Sequence, residues 1–224
     1  MLEKTLKGLL KMTNTKKYMH IIIAFVLLAL GNYGIETLDV GNIAYSFMAI
    51  TGFSAYFIVF GKEGIKSLFS RPTRFKKYGL LFLLYAQIYG LASGLIITTL
   101  SQVMDVKLTA NAAQNNPWWF FVLILPIALI GEEIFSITIL DILRKKLGFS
   151  NILASIITAI IFGLIHYTTY VGSNPLFTVF QILFLQGGAR LLLNHVYIKS
   201  KSIKTSWFVH YFYDLISFMI GGIG

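Results

Sequence analysis

Residues 117–143 read "PWWFFVLILPIALIGEEIFSITILDIL". At 1.5 Å of helical rise per residue this run is long enough to cross about 30 Å of hydrocarbon. Its only charges before Asp141 are two neighbours, Glu132 and Glu133. A carboxylate at the centre of a bilayer costs roughly 2.5–3.5 kcal/mol on insertion scales. The stretch therefore reads as a membrane helix that carries two expensive groups, which marks a place where chemistry is expected.

Six further apolar runs flank it, at 18–35, 42–60, 78–100, 151–171, 175–198 and 205–220. Each is near-continuous rather than alternating, so helices are expected and a β-barrel is not. The expected fold is an all-α polytopic membrane protein of about seven transmembrane helices, multi-pass in the cell membrane. Composition agrees: 56% of the 224 residues are hydrophobic and 12% are charged, too apolar for a soluble domain. With no cysteine in the chain, disulfides, thiolate ligands and cysteine nucleophiles are excluded.

The formal net charge is +10, but the cations lie between the apolar runs rather than along one face. That is a topology signal, not a nucleic-acid surface. Seventeen of the nineteen Lys and Arg residues fall in the N-terminal segment and in the second, fourth and sixth loops, all on one side of a seven-span arrangement. By the positive-inside rule the N-terminus is cytoplasmic. Within residues 1–17, Leu2, Leu6, Leu9 and Leu10 share a helical face away from Lys4, Lys7 and Lys11, which suits a helix lying on the inner leaflet. No cleavage site follows, so the first run is read as an uncleaved anchor.

The mid-span ionisable residues are Glu132 and Glu133, His166, Arg190 and His195, and His210 with Asp214, all in the last four runs. The chain divides accordingly into a surface segment (1–17), a three-span scaffold half (18–116) and a functional half (117–224). Counting along straight helices from the basic loops, Glu133, Arg190 and Asp214 lie at roughly 13–16 Å and His210 at roughly 9 Å. His166 falls deeper, at roughly 24 Å. The expected site is a polar pocket in the inner half of the membrane, opening to the cytoplasm or laterally to lipid.

Spacing adds detail. His210 and Asp214 share a helical face, as do Phe162 and His166. Adjacent glutamates point about 100° apart, so one can face a pocket and the other a neighbouring helix. Two imidazoles and a carboxylate suit a divalent metal such as zinc with one open position, with His166, His210 and Glu132 as candidate ligands. They equally suit a metal-free water, with a glutamate as general base and histidines stabilising an oxyanion. Ser136, Ser155 and Ser217 carry no nucleophile motif. His20, Trp118 and Trp119 read as interface anchors, and His195 as structural.

The order Glu132-Glu133, then "FGLIH" at 162–166, then "HYFYD" at 210–214 resembles the CPBP family of intramembrane proteases. That family includes type II CAAX prenyl endopeptidases and bacterial Abi-type membrane proteins. Its motifs run EExxxR, FxxxH and HxxxN or HxxxD, and residues 187–214, "GGARLLLNHVYIKSKSIKTSWFVHYFYD", resemble its last two helices. The resemblance implies an intramembrane endopeptidase acting on a peptide or membrane protein. Glu132 would activate water, His166 and His210 would contact that water or a metal and the scissile carbonyl, and Asp214 would orient His210 or hold the oxyanion. It also implies an alternative, self-immunity to bacteriocin-related peptides, with or without proteolysis. A proton-coupled transporter is a more distant alternative, for which no duplicated half is visible. One position departs from the pattern: the motif arginine would fall at 137, where this chain has Ile137. Glu133 then needs another cation, and the isolated Arg190 is the candidate.

Overall fold

The computed structural model describes residues 2–220, with side chains from Asn14 onward. Every regular element among them is helical. Helix α1 (Leu2–Thr37) is followed by a 3-10 turn and α2 (Tyr45–Leu68), then by a π-type turn leading into α3 (Phe82–Val103). The short α4 (Trp118–Leu123) precedes α5 (Leu125–Asp141) and α6 (Asn151–Leu164). Next come α7 (Tyr167–Tyr170), α8 (Pro175–Ile182), α9 (Gly188–Ser200) and α10 (Ile203–Met219). Four of these stretches are long and apolar enough to cross a membrane: Asn14–Thr37, Gly41–Leu68, Lys76–Val103 and Pro175–Ser200. The chain is a multi-pass membrane protein. The proposed inner-leaflet face of Leu2, Leu6, Leu9 and Leu10 lies outside the residues whose side chains are described.

The seven apolar runs map onto these helices with breaks that have local causes. The expected fourth helix is interrupted at Ile124. Pro126, in the first turn of α5, has no N–H to donate, so the chain restarts there rather than continuing from α4. The Pro126 carbonyl accepts from Trp207 Nε1 at 3.0 Å. The second run ends at Phe60, and the following Gly61 kinks α2 with φ of +67°, a conformation for which glycine is suited. Asn174 caps α8 by accepting from the Leu176 and Phe177 amides, with Pro175 in the first turn, as helix starts favour.

Helix α5 is the centre. Every residue from Glu133 to Asp141 is buried, as expected of a helix that is apolar all round. It packs against α2, α10, α6 and α4, while α3 packs against α9 and α10. A Cβ on Gly131 would lie 2.9 Å from the Ala49 amide nitrogen, and one on Gly52 would lie 2.6 Å from Ile134 Cγ2. Glycine at both places lets α2 and α5 touch backbone to backbone. Gly90, of the sequence GLASG at 90–94, meets the Tyr213 ring in the same way.

The two ends of the bundle are tied differently. At the end carrying the basic loops, the Thr73 amide donates to the Ser200 carbonyl at 2.9 Å, and Ser70 and Ser202 exchange side-chain to backbone bonds with Lys201 and Ser70 at 2.8 Å. Asp141 is wholly buried there and accepts from Tyr56 (2.9 Å), Tyr197 (2.7 Å), Arg144 (3.2 Å) and Lys145 (2.7 Å). At the opposite end Thr168 donates to Glu36 at 2.6 Å and Thr109 donates to the Val171 carbonyl at 2.6 Å. A cavity lies between these two ends.

Candidate active site

Helix α5 presents its two glutamates to different surroundings. Glu133 is wholly buried and faces α9 and α10. Arg190 donates to it through both terminal nitrogens, at 2.5 and 3.4 Å, and its Nε donates to Asn194 Oδ1 at 3.1 Å. Asn194 in turn donates to the Ser155 carbonyl at 3.3 Å. The guanidinium also lies 5.5 Å from the centre of the Phe162 ring, a favourable cation–π position. So the cation that partners Glu133 comes from α9, fifty-seven residues away in sequence, rather than from position 137. Ile137 is wholly buried in the apolar core.

Glu132 points the other way, toward the cavity. Its Oε2 lies 4.0 Å from His166 Nε2 and 3.8 Å from His210 Nε2. The tautomers follow from the other ring nitrogens. His166 Nδ1 is 2.7 Å from the Phe162 carbonyl, which can only accept, so Nδ1 carries the proton. His210 Nδ1 donates to Glu133 Oε1 at 3.0 Å for the same reason. When neutral, both rings offer an Nε2 lone pair to the space in front of Glu132. Asp214 Oδ2 approaches His210 Nε2 at 3.6 Å, one turn further along α10. The side chains of Glu132, Asp214 and His166 keep 24%, 23% and 17% of their exposure, whereas Glu133 keeps none. That difference separates the carboxylates open to the cavity from the enclosed one.

His166 shows where the straight-helix count fails. Helix α6 ends at Leu164, and His166 sits in the bridge region with φ −89° and ψ 6°, where active-site residues are often found. The turn folds His166 back over the Phe162 carbonyl and ring, whose centroid is 4.7 Å from its own. His166 thereby joins the layer of Glu132 and His210. Phe162 supports both halves of the cluster, through its carbonyl to His166 and through its ring to Arg190. His195 is not part of the cluster and stacks on Phe82 at 5.1 Å. The buried Ser136 hydroxyl has no hydrogen-bond partner among the described residues, and so no base to activate it.

The cavity in front of Glu132 has a volume of about 470 Å³, within the usual range for small-molecule and peptide pockets. Its floor is Glu132, His166, His210 and Asp214, and its walls reach Asn32, Glu36, Asn111 and Thr168. Those wall residues belong to the end away from the basic loops, so the cavity reaches toward that end. The scaffold half therefore lines part of the site. Sequence reading missed Asn111, whose amide donates to the Tyr170 hydroxyl at 2.9 Å, and Gln186 beside them. They lie in loops and turns far apart in the chain, with no periodic signal to connect them.

The expected zinc set does not fit this arrangement. Ligands about 2.0–2.1 Å from a tetrahedral zinc stand about 3.3–3.5 Å from one another. Glu132 is further than that from both imidazoles. No group of three or more His, Cys, Asp or Glu among the described residues is arranged to hold a metal ion.

Residues 114–216 match the family model described as Rce1-like, type II CAAX prenyl endopeptidase Rce1-like. The resemblance drawn from the three motifs is thus borne out over the region that contains them. That family is one of membrane proteases. No curated protein matches the chain, and no solved structure does.

Proposed function

We propose that this chain is an intramembrane endopeptidase in which Glu132 activates a water molecule held among Glu132, His166 and His210. The observation that carries this reading is the convergence of both Nε2 atoms on the Glu132 carboxylate at the floor of a largely apolar cavity. In the reaction, Glu132 takes a proton from the water as its oxygen bonds to the scissile carbonyl carbon. The carbonyl oxygen becomes an oxyanion, stabilised by His166 and His210 when their Nε2 atoms carry protons. Glu132 then passes the proton to the departing nitrogen as the C–N bond breaks, leaving a carboxylic acid, which then ionises, and an amine. Glu133, ion-paired with Arg190, holds the His210 ring in place and offsets charge on it. Asp214 orients His210 or the oxyanion.

The proposed arrangement has seven crossings with the N-terminus cytoplasmic, residues 18–116 as scaffold and 117–224 as the catalytic half. The test is cleavage of labelled hydrophobic peptides by purified protein, wild type against Glu132→Gln, with metal content measured in parallel. Equal rates for the two proteins would end the proposal. Ile137 in the motif arginine position favours one second reading: immunity toward a bacteriocin-related peptide by binding alone. Protection of cells that persists in Glu132→Gln, His166→Ala and His210→Ala would support it.

A further inference from the structure

The cavity runs between two unlike ends. On the basic side α5 is buried without interruption from Glu133 to Leu143, and Asp141 with its four partners closes the layer below. The cavity lining extends instead to the other end, where Glu36, Ala112 and Thr168 are exposed. Nearly all Lys and Arg residues lie at the closed end, and the positive-inside rule makes that end cytoplasmic. The lining has its own charge signature: Glu36, Glu132 and Asp214 contribute carboxylates, and no Lys or Arg is among the described lining residues. The arginine nearest the floor, Arg190, is wholly buried and held by Glu133.

We propose that the pocket opens on the non-cytoplasmic face and takes an internal peptide segment exposed there, one that is uncharged or basic, rather than a free carboxyl terminus. A terminal carboxylate would meet three carboxyl groups and no Lys or Arg, with the two imidazoles as the only groups able to offset its charge, and like-charge approach in a confined, low-dielectric space is unfavourable. A lysine or arginine flanking the scissile bond would find Glu36 at the mouth. This rests on the protease reading, yet its test does not need turnover.

Because the chain has no cysteine, each single substitution gives one thiol. Thr169→Cys places it in the pocket wall, Val40→Cys on the surface of the same end, and Lys201→Cys at the basic end. A membrane-impermeant maleimide added to intact cells should label Thr169→Cys, and should label Lys201→Cys only after permeabilisation. Labelling of Lys201→Cys from outside, or of Thr169→Cys only after permeabilisation, overturns the proposed face. For charge, cationic and anionic methanethiosulfonate reagents are compared. The ratio of their rates at Thr169→Cys should exceed that at Val40→Cys several-fold and fall toward it when Glu36→Gln is added. Equal ratios overturn the proposed substrate class. If both arms succeed while wild type and Glu132→Gln cleave alike, only the protease reading fails.

Discussion

Two carboxylates on α5 are wholly buried, Glu133 and Asp141, yet they are neutralised in opposite ways. Asp141 takes its cations from its own neighbourhood, Arg144 and Lys145, three and four residues on, and adds two tyrosine hydroxyls from α2 and α9. Those cations remain partly exposed, at 19% and 45%. Glu133 has one arginine, brought from a distant helix and itself without exposure. The first node fastens a helix end at the water boundary. The second is an internal ion pair that also holds a histidine, so its removal disturbs both the fold and the site. Burial of charge is expensive in both places, but only the second touches a residue that lines the cavity, His210.

The largest effect is expected where the distant pair is broken. Arg190→Met leaves Glu133 buried without its partner, a loss of roughly 3–5 kcal/mol, read as a lowered unfolding temperature in detergent and poor accumulation in membranes. Ile137→Arg should make the wild-type background worse by burying a second cation in the apolar core. In the Arg190→Met background it should recover part of the stability, because position 137 lies one turn from Glu133 on the same face. Absence of recovery would show that only a cation arriving from α9 can reach Glu133.

Next comes the neighbour that faces the cavity. Glu132→Gln should lower peptide cleavage by roughly 10²–10⁴-fold, the usual contribution of a positioned general base. Its unfolding temperature should stay close to wild type, because the side chain makes no hydrogen bond that the fold depends on. If Glu132→Gln unfolded as readily as Arg190→Met, the division between a reactive and a structural glutamate would collapse.

Asp141→Asn should cost less stability than Arg190→Met, about 1–3 kcal/mol. The amide oxygen still accepts from Tyr56 or Tyr197, and the freed Arg144 and Lys145 can turn to water. Cleavage per folded molecule should be unchanged. A drop in turnover at equal folded concentration would show that the closed end is coupled to the site.

These contrasts also explain what could be read in advance. The Asp141 node is local, with i, i+3 and i, i+4 spacing, and such pairs are visible in any helical sequence. Glu133 and Arg190 stood out because an isolated charge in an apolar run demands a partner, and their depths were similar. The depth of His166 is not legible from a straight helix, because the chain turns after Leu164 and packs the ring back on Phe162. The direction of the cavity was hidden for a related reason. It is set by loop contacts such as Thr168 with Glu36 and Asn111 with Tyr170, which join segments far apart in sequence and leave no periodic pattern. The break at Pro126 was legible in principle, since proline lacks the donor that a continuous helix needs.

The smallest effect is expected at Asp214, and it tests how far the reactive set extends. Its carboxylate stands 3.6 Å from His210 Nε2, beyond a good hydrogen bond. Asparagine has the same shape, keeps an acceptor oxygen for the imidazole and adds an N–H that can donate to an oxyanion. It also replaces one of the three carboxyl groups that line the cavity. Asp214→Asn should therefore hold cleavage within about tenfold of wild type, well short of the loss expected for a general base. Asp214→Leu, which can neither accept nor donate, should lose more while folding normally. Were Asp214→Asn as inactive as Glu132→Gln, the charge at 214 would itself be required. The proton taken from water would then be shared between two carboxylates on either side of His210, rather than held by Glu132 alone.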